Sequence, residues 1–154
     1  MKKLIICLII AITIITGCRY KEGPMISFNS VEKRITGTWQ IVEFTSDDVD
    51  SLQYYNDSCG SKMVIGGFHY PDGSPTNDPK ISFVGGKKEF GGHLSFPKNK
   101  KEMQVFFGYP HFTVIGPFVS DIVSYWKILK LTKNELKVSV DFDSRNYIIS
   151  FKKE

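Results

Sequence analysis

Apolar and polar side chains alternate one for one along much of this chain. The clearest run is Glu135-Leu136-Lys137-Val138-Ser139-Val140-Asp141-Phe142, in which Leu136, Val138, Val140 and Phe142 share one face and Glu135, Lys137, Ser139 and Asp141 the other. A period of two held this long predicts a half-buried strand. Thr132-Lys133-Asn134 connects it to Ser124–Leu131 on one side. Asp143-Ser144-Arg145 connects it to Asn146–Lys153 on the other, where Tyr147, Ile149 and Phe151 alternate. Three such segments joined by short polar turns form an antiparallel meander. Earlier strand candidates are Thr38–Thr45, Lys62–Tyr70, Lys80–Val84, Glu89–Phe96, Lys101–Phe107 and Pro110–Ile115. Pro71–Pro79 reads as a loop, Pro97–Lys100 and Gly108–Pro110 as turns, and Gly116-Pro117 as the start of a further connection. Eight or nine short strands at regular spacing imply a barrel or a sandwich. The only helical hint is Asp47–Asp57, where Val49, Leu52 and Tyr55 recur every third residue; a lid-like loop fits this stretch equally well.

Glycine pairs at Gly66-Gly67, Gly85-Gly86 and Gly91-Gly92 interrupt the strands. A phosphate-binding loop needs an earlier glycine, a hydroxyl residue after the lysine and a following helix. Gly86-Lys87-Lys88 has none of these, so the pairs predict bulges and sharp bends of a small closed barrel.

Composition agrees with strands. Aromatic residues make up 14% of the 154, with 12 Phe and 7 Tyr, and such side chains suit a pleated surface. The single alanine is Ala11, and a chain so poor in alanine is a weak candidate for a helical bundle. The length suits one domain. The formal charge of +4 includes Lys2 and Lys3; without residues 1–17 there remain 18 basic and 16 acidic side chains. That excess is too small and too scattered for a nucleic-acid footprint, and no nucleic-acid partner is expected.

The N-terminus follows a different rule. Met1-Lys2-Lys3 is a basic opening, and Leu4–Ile15 is an apolar run of 12 residues, shorter than a membrane span but right for a signal peptide. Ile15-Thr16-Gly17-Cys18 follows it. This tetrapeptide resembles the lipobox of bacterial lipoproteins, with Ile15 where the pattern usually has Leu. Small residues let a peptidase reach the bond before a cysteine whose thiol has accepted a diacylglyceryl group. The resemblance implies that residues 1–17 are removed and that Cys18 is acylated. Residues 18–33 would then form a tether and 34–154 the folded domain. The partner implied is a membrane held through the lipid at Cys18, with the outer membrane of a Gram-negative cell as the expected location. Several acyl chains, each methylene adding about 0.8 kcal/mol, would hold such a domain permanently. Cys7 leaves with the signal and Cys18 is consumed. That leaves Cys59 without an internal partner, and it is expected as a small buried or turn-adjacent side chain.

Ile35-Thr36-Gly37-Thr38-Trp39, at the start of the first strand, resembles the Gly-x-Trp signature of lipocalins. Tyr125–Leu131, Glu135–Val138 and Tyr147–Lys152 also resemble the closing strands of lipocalin-like domains in bacterial lipoproteins. The likeness runs from Arg34 to Glu154. It implies an all-β, up-and-down antiparallel barrel of about eight strands, with Trp39 closing the base and Arg145 in the place of the arginine that covers the tryptophan. It also implies an interior that can hold one small apolar molecule. The candidate lining residues are Trp39, Phe83, Val105, Phe107, Phe112 and Val114, which serve equally to fill a packed barrel.

No catalytic set is expected. His69, His93 and His111 lack metal-ligand spacing, and Asp47, Asp48 and Asp50 miss the calcium-loop pattern. No nucleophile elbow is present, and no metal or cofactor is implied. Two non-enzymatic functions remain. One is a carrier of a small apolar ligand; the other is a structural or protein-interaction module of the cell envelope with a solid core.

Overall fold

A strand with one dry face must cover it. A single sheet does so either by packing on a partner or by curling onto itself. The computed structural model describes residues 30–67, 79–97, 100–110 and 113–154, and here the sheet curls. The elements in chain order are α1 (Val31–Ile35), β1 (Gly37–Ser46), β2 (Val49–Asp50), α2 (Leu52–Cys59), β3 (Lys62–Gly66), β4 (Lys80–Val84) and β5 (Phe90–Ser95). Then come β6 (Glu102–Tyr109), β7 (Val114–Ile115), β8 (Phe118–Val119), β9 (Val123–Leu131), β10 (Glu135–Phe142) and β11 (Arg145–Lys153).

Strands β1, β3, β4, β5, β6, β9, β10 and β11 pair in that order, all antiparallel, and β11 pairs back onto β1 to close an eight-stranded up-and-down barrel. The closing seam runs from Trp39 opposite Lys153 to Ser46 opposite Tyr147 and slips once, between Ile41 and Glu43. The expected spans Lys80–Val84 and Glu135–Phe142 coincide with β4 and β10. The bend expected at Gly91-Gly92 is a register shift in the β5–β6 ladder. There the β6 backbone comes so close that a Cβ on Gly92 would collide with the Phe106 carbonyl oxygen.

Three expectations change in detail. In Pro110–Ile115 only Val114-Ile115 is strand among the described residues, and it pairs with β8 as a separate hairpin outside the barrel sheet. The helical option for Asp47–Asp57 is realised further along, as α2, which buries Tyr55 and Cys59 four residues apart on one face. A helix that the strand pattern did not suggest, α1, straddles the expected start of the domain at Arg34. Ser30 caps it by accepting from the Lys33 N–H, and it buries Val31, Arg34 and Ile35. The signal peptide, Cys18 and most of the tether lie outside the described residues, as do Phe112, His69, His111 and residues 71–78 of the Pro71–Pro79 loop.

Candidate functional site

The barrel interior is the first candidate. Trp39, Phe83, Val105 and Phe107 all point inward and are fully buried. Between them stand rings that the lining set did not include. Phe83, Phe107, Phe118 and Trp126 are all mutual neighbours, with centroids 4.6 Å apart for Phe83–Phe118 and 6.3 Å for Phe107–Trp126. Phe90 adds edge-on contact with Phe107, and Phe151 lies against Phe83. Spacings of this size are those of rings in direct tilted or edge-to-face contact. No gap as wide as another ring is left within the cluster.

Phe118 is decisive, because it does not belong to the barrel wall. It sits on β8 of the small hairpin and is driven into the mouth, against Phe44, Tyr55, Phe83, Phe90, Phe107 and Trp126. The hairpin is held in place by polar bonds. The Ser120 hydroxyl accepts from the Thr113 N–H at 2.7 Å, Ser120 N–H donates to the Thr113 carbonyl, and Asp121 N–H donates to the Phe107 carbonyl. Val114 is corrected here: it is 59% exposed and borders the outer groove at the mouth instead of lining the interior. It pairs with Val119 across the hairpin, and Ile115 pairs with Phe118, the ring that enters the barrel.

The mouth is closed from its other side by α2. Tyr55 stacks on Phe44 at 3.8 Å between centroids, and the hairpin turn packs on it so tightly that a Cβ at Gly116, whose φ is +57°, would collide with the Tyr55 hydroxyl. Burial, and then Tyr147 beside it, push the Tyr55 hydroxyl above its ordinary pKa. A shallow groove of about 410 Å³ remains on top, bordered by Tyr54, Tyr55, Phe142, Asp143, Arg145 and Tyr147. Cys59, at the end of α2, is buried as expected. Burial pushes its thiol up to about 12, away from the thiolate that nucleophilic chemistry needs.

The base is closed by α1. The Trp39 indole N–H donates to the Ile35 carbonyl at 2.7 Å, and the Arg34 guanidinium donates to the Leu131 carbonyl at 2.7 Å. The side chain over the Trp39 ring is Lys153, 4.8 Å from the ring centroid, with its ammonium donating to the Arg34 carbonyl. The expectation for Arg145 is therefore corrected. Arg145 begins β11 at the mouth and is exposed, whereas the covering cation comes from the far end of the same strand.

The Gly85-Gly86 loop is an internal clamp. Lys87 and Lys88 give their backbone N–H groups to the Asp57 and Ser58 carbonyls of α2. Those donors are the ones a phosphate would need, and they are already used. His93 stands exposed on β5, and no three His, Cys, Asp or Glu side chains group as metal ligands among the described residues. No helix among them is long and apolar enough to cross a membrane.

On the outer wall, Val123 and Tyr125 project from β9 beside Phe106 and Gln104 of β6, with Ile122 and Tyr109 at the rim. Tyr109, Ile122, Val123 and Tyr125 are each at least half exposed, which gives this part of the wall an apolar outer surface. No family model matches the chain, and no curated protein is significantly similar to it.

Proposed function

We propose that this chain is an exported lipoprotein, held to the membrane by an acylated Cys18. Its lipocalin-like barrel works through its outer surface, as a structural or interaction module of the cell envelope. The observation that supports this reading is the four-ring cluster of Phe83, Phe107, Phe118 and Trp126. A carrier of a drug-sized apolar molecule needs an interior space of a few hundred Å³. In this barrel the corresponding volume holds the protein's own rings, one of them delivered from the mouth. The β6–β9 wall, with Tyr125 at its centre, offers contact area of the aromatic kind that interfaces favour.

Native mass spectrometry of the protein extracted from its own host's membranes tests the reading. The expected spectrum is the mature chain from Cys18 with its acyl groups and no further small molecule. An apolar compound present at one per chain overturns the solid-core reading in favour of a carrier. Acylation is checked separately: radiolabelled palmitate marks the wild-type chain and not Cys18→Ser, and label on both removes the anchor. Density-gradient separation of the two membranes checks the outer-membrane expectation.

A further inference from the structure

The two ends of the barrel carry opposite charge. At the mouth, Asp47, Asp48, Asp50, Asp57, Asp141 and Asp143 are all exposed, against Lys87, Lys88 and Arg145. At the base, Lys33 of α1, Lys80 at the start of β4, Lys101 before β6, Lys133 in the β9–β10 turn and Lys152 near the end of β11 are all exposed. Of the glutamates there, Glu32, Glu135 and Glu154 are each tied to a lysine, namely Lys100, Lys130 and Lys62, and Glu102, half-buried at the start of β6, follows Lys101 directly. An open groove of about 850 Å³ runs between the β9–β10 turn and the end of β11, with Lys133 and Lys152 on its sides.

The chain enters the described structure at this same end. Ser30 caps α1, and α1 closes the base through Arg34 and Ile35. From Cys18 to Ser30 the covalent chain can span at most about 40 Å, at roughly 3.3–3.6 Å per residue. A lipid at Cys18 therefore holds the base within reach of the bilayer, and a tether this long does not by itself fix which end faces it.

We propose that the lysine-bearing base docks on anionic phospholipid headgroups, which orients the barrel with its acidic mouth away from the bilayer. This rests on the anchor reading above. The attraction acts only within a Debye length, about 8 Å at physiological ionic strength, and the tether brings the base into that range. Each lysine near such a surface favours docking about fivefold. The acidic mouth disfavours the inverted orientation for the same reason. The partner surface is a membrane and not a free anion, because the lysines are spread over α1, β4 and the β9–β10 turn instead of converging on one point.

The test uses the purified, acylated full-length mature protein in vesicles of phosphatidylethanolamine with roughly one-third phosphatidylglycerol, and in phosphatidylcholine alone. A nitroxide is attached at Asn134→Cys on the base or at Gln53→Cys at the mouth, and a nickel chelate is carried on the headgroups. The base label is expected to relax faster than the mouth label in the anionic vesicles. That difference should collapse in phosphatidylcholine and at high salt, where the Debye length falls to about 3 Å. Lys33→Gln, Lys80→Gln and Lys133→Gln together should lower the docked-to-free ratio on the order of a hundredfold. Lys87→Gln, Lys88→Gln and Arg145→Gln should leave it unchanged. All six side chains are exposed, and a thermal melt confirms that both triple variants fold. Equal relaxation at both labels, or relaxation indifferent to lipid charge, overturns the docking and leaves the anchor standing. A protein that carries no acyl group overturns both.

Discussion

Phe118→Ala separates a packed barrel from a hollow one more sharply than any change in the wall. Phe118 is fully buried and touches Phe44, Tyr55, Phe83, Phe90, Phe107 and Trp126, so its removal cannot be repaired by one neighbour swinging inward. Lost transfer of the ring from water costs about 2 kcal/mol. A residual void of roughly 80 Å³, at about 24 cal/mol per Å³, adds about 2 more. The sum is about 4 kcal/mol. At roughly 4 °C per kcal/mol for a domain of this size, the melting temperature should fall by about 15 °C. Urea unfolding followed by tryptophan fluorescence reads the change, since Trp126 is among the neighbours. The void should be dry and apolar, so it should accept a ring-sized guest such as indole. At a guest concentration about ten times its Kd, roughly 1.4 kcal/mol of the lost stability returns by mass action. The wild-type barrel should take up no indole. Two results would refute the reasoning: a loss under about 1 kcal/mol, which means that the ring filled nothing, or wild-type binding as tight as the variant's.

Lys153→Met removes the cation over Trp39 and the donor to the Arg34 carbonyl, and should cost about 1–2 kcal/mol in urea unfolding; Arg145→Met should cost under about 0.5, as expected of an exposed side chain. Gly86→Ala drives a Cβ into the Gly60 nitrogen and should cost more than about 3 kcal/mol, whereas Gly85→Ala meets open space and incurs only the strain of a positive φ, about 1 kcal/mol. Thermal melts of the two variants side by side decide it. Cys59 gives a pH prediction. Its folded pKa is raised to about 12 from 9.0 by burial, so the unfolded chain loses the proton first. Stability from this group is complete below pH 9 and falls as the pH rises toward 12, by at most about 1.4 kcal/mol per unit. Cys59→Ala should flatten that alkaline decline in urea titrations, and an equally steep decline in the variant would show that the thiol is not its source.

What could be read in the sequence, and what could not, divides along one physical line. Burial on alternate residues is a local property of a long strand, so β4 and β10 could be bounded from the letters alone, while Trp39 could be put at the base only through the resemblance of Gly37-Thr38-Trp39 to the lipocalin signature. The residues that decide between carrier and solid module lie in elements too short to show a period. Phe118 follows Gly116-Pro117 in a two-residue strand, and nothing in Gly-Pro-Phe-Val tells whether the ring caps the mouth or lies on the wall. Val114 failed for the same reason, since Thr113-Val114-Ile115 has no alternation to fix which side chain faces inward. Helix α1 is one turn long, and its amphipathicity is carried by Val31 and Ile35 alone. Lys153 resembles a solvated terminal lysine until the seam between β1 and β11 sets it opposite Trp39, a separation of 114 residues that only the closed topology brings together. A barrel wall is thus written in periodicity, while its plugs are written in single side chains whose role is assigned by closure. In this molecule the plugs, and not the wall, carry the argument against an internal ligand.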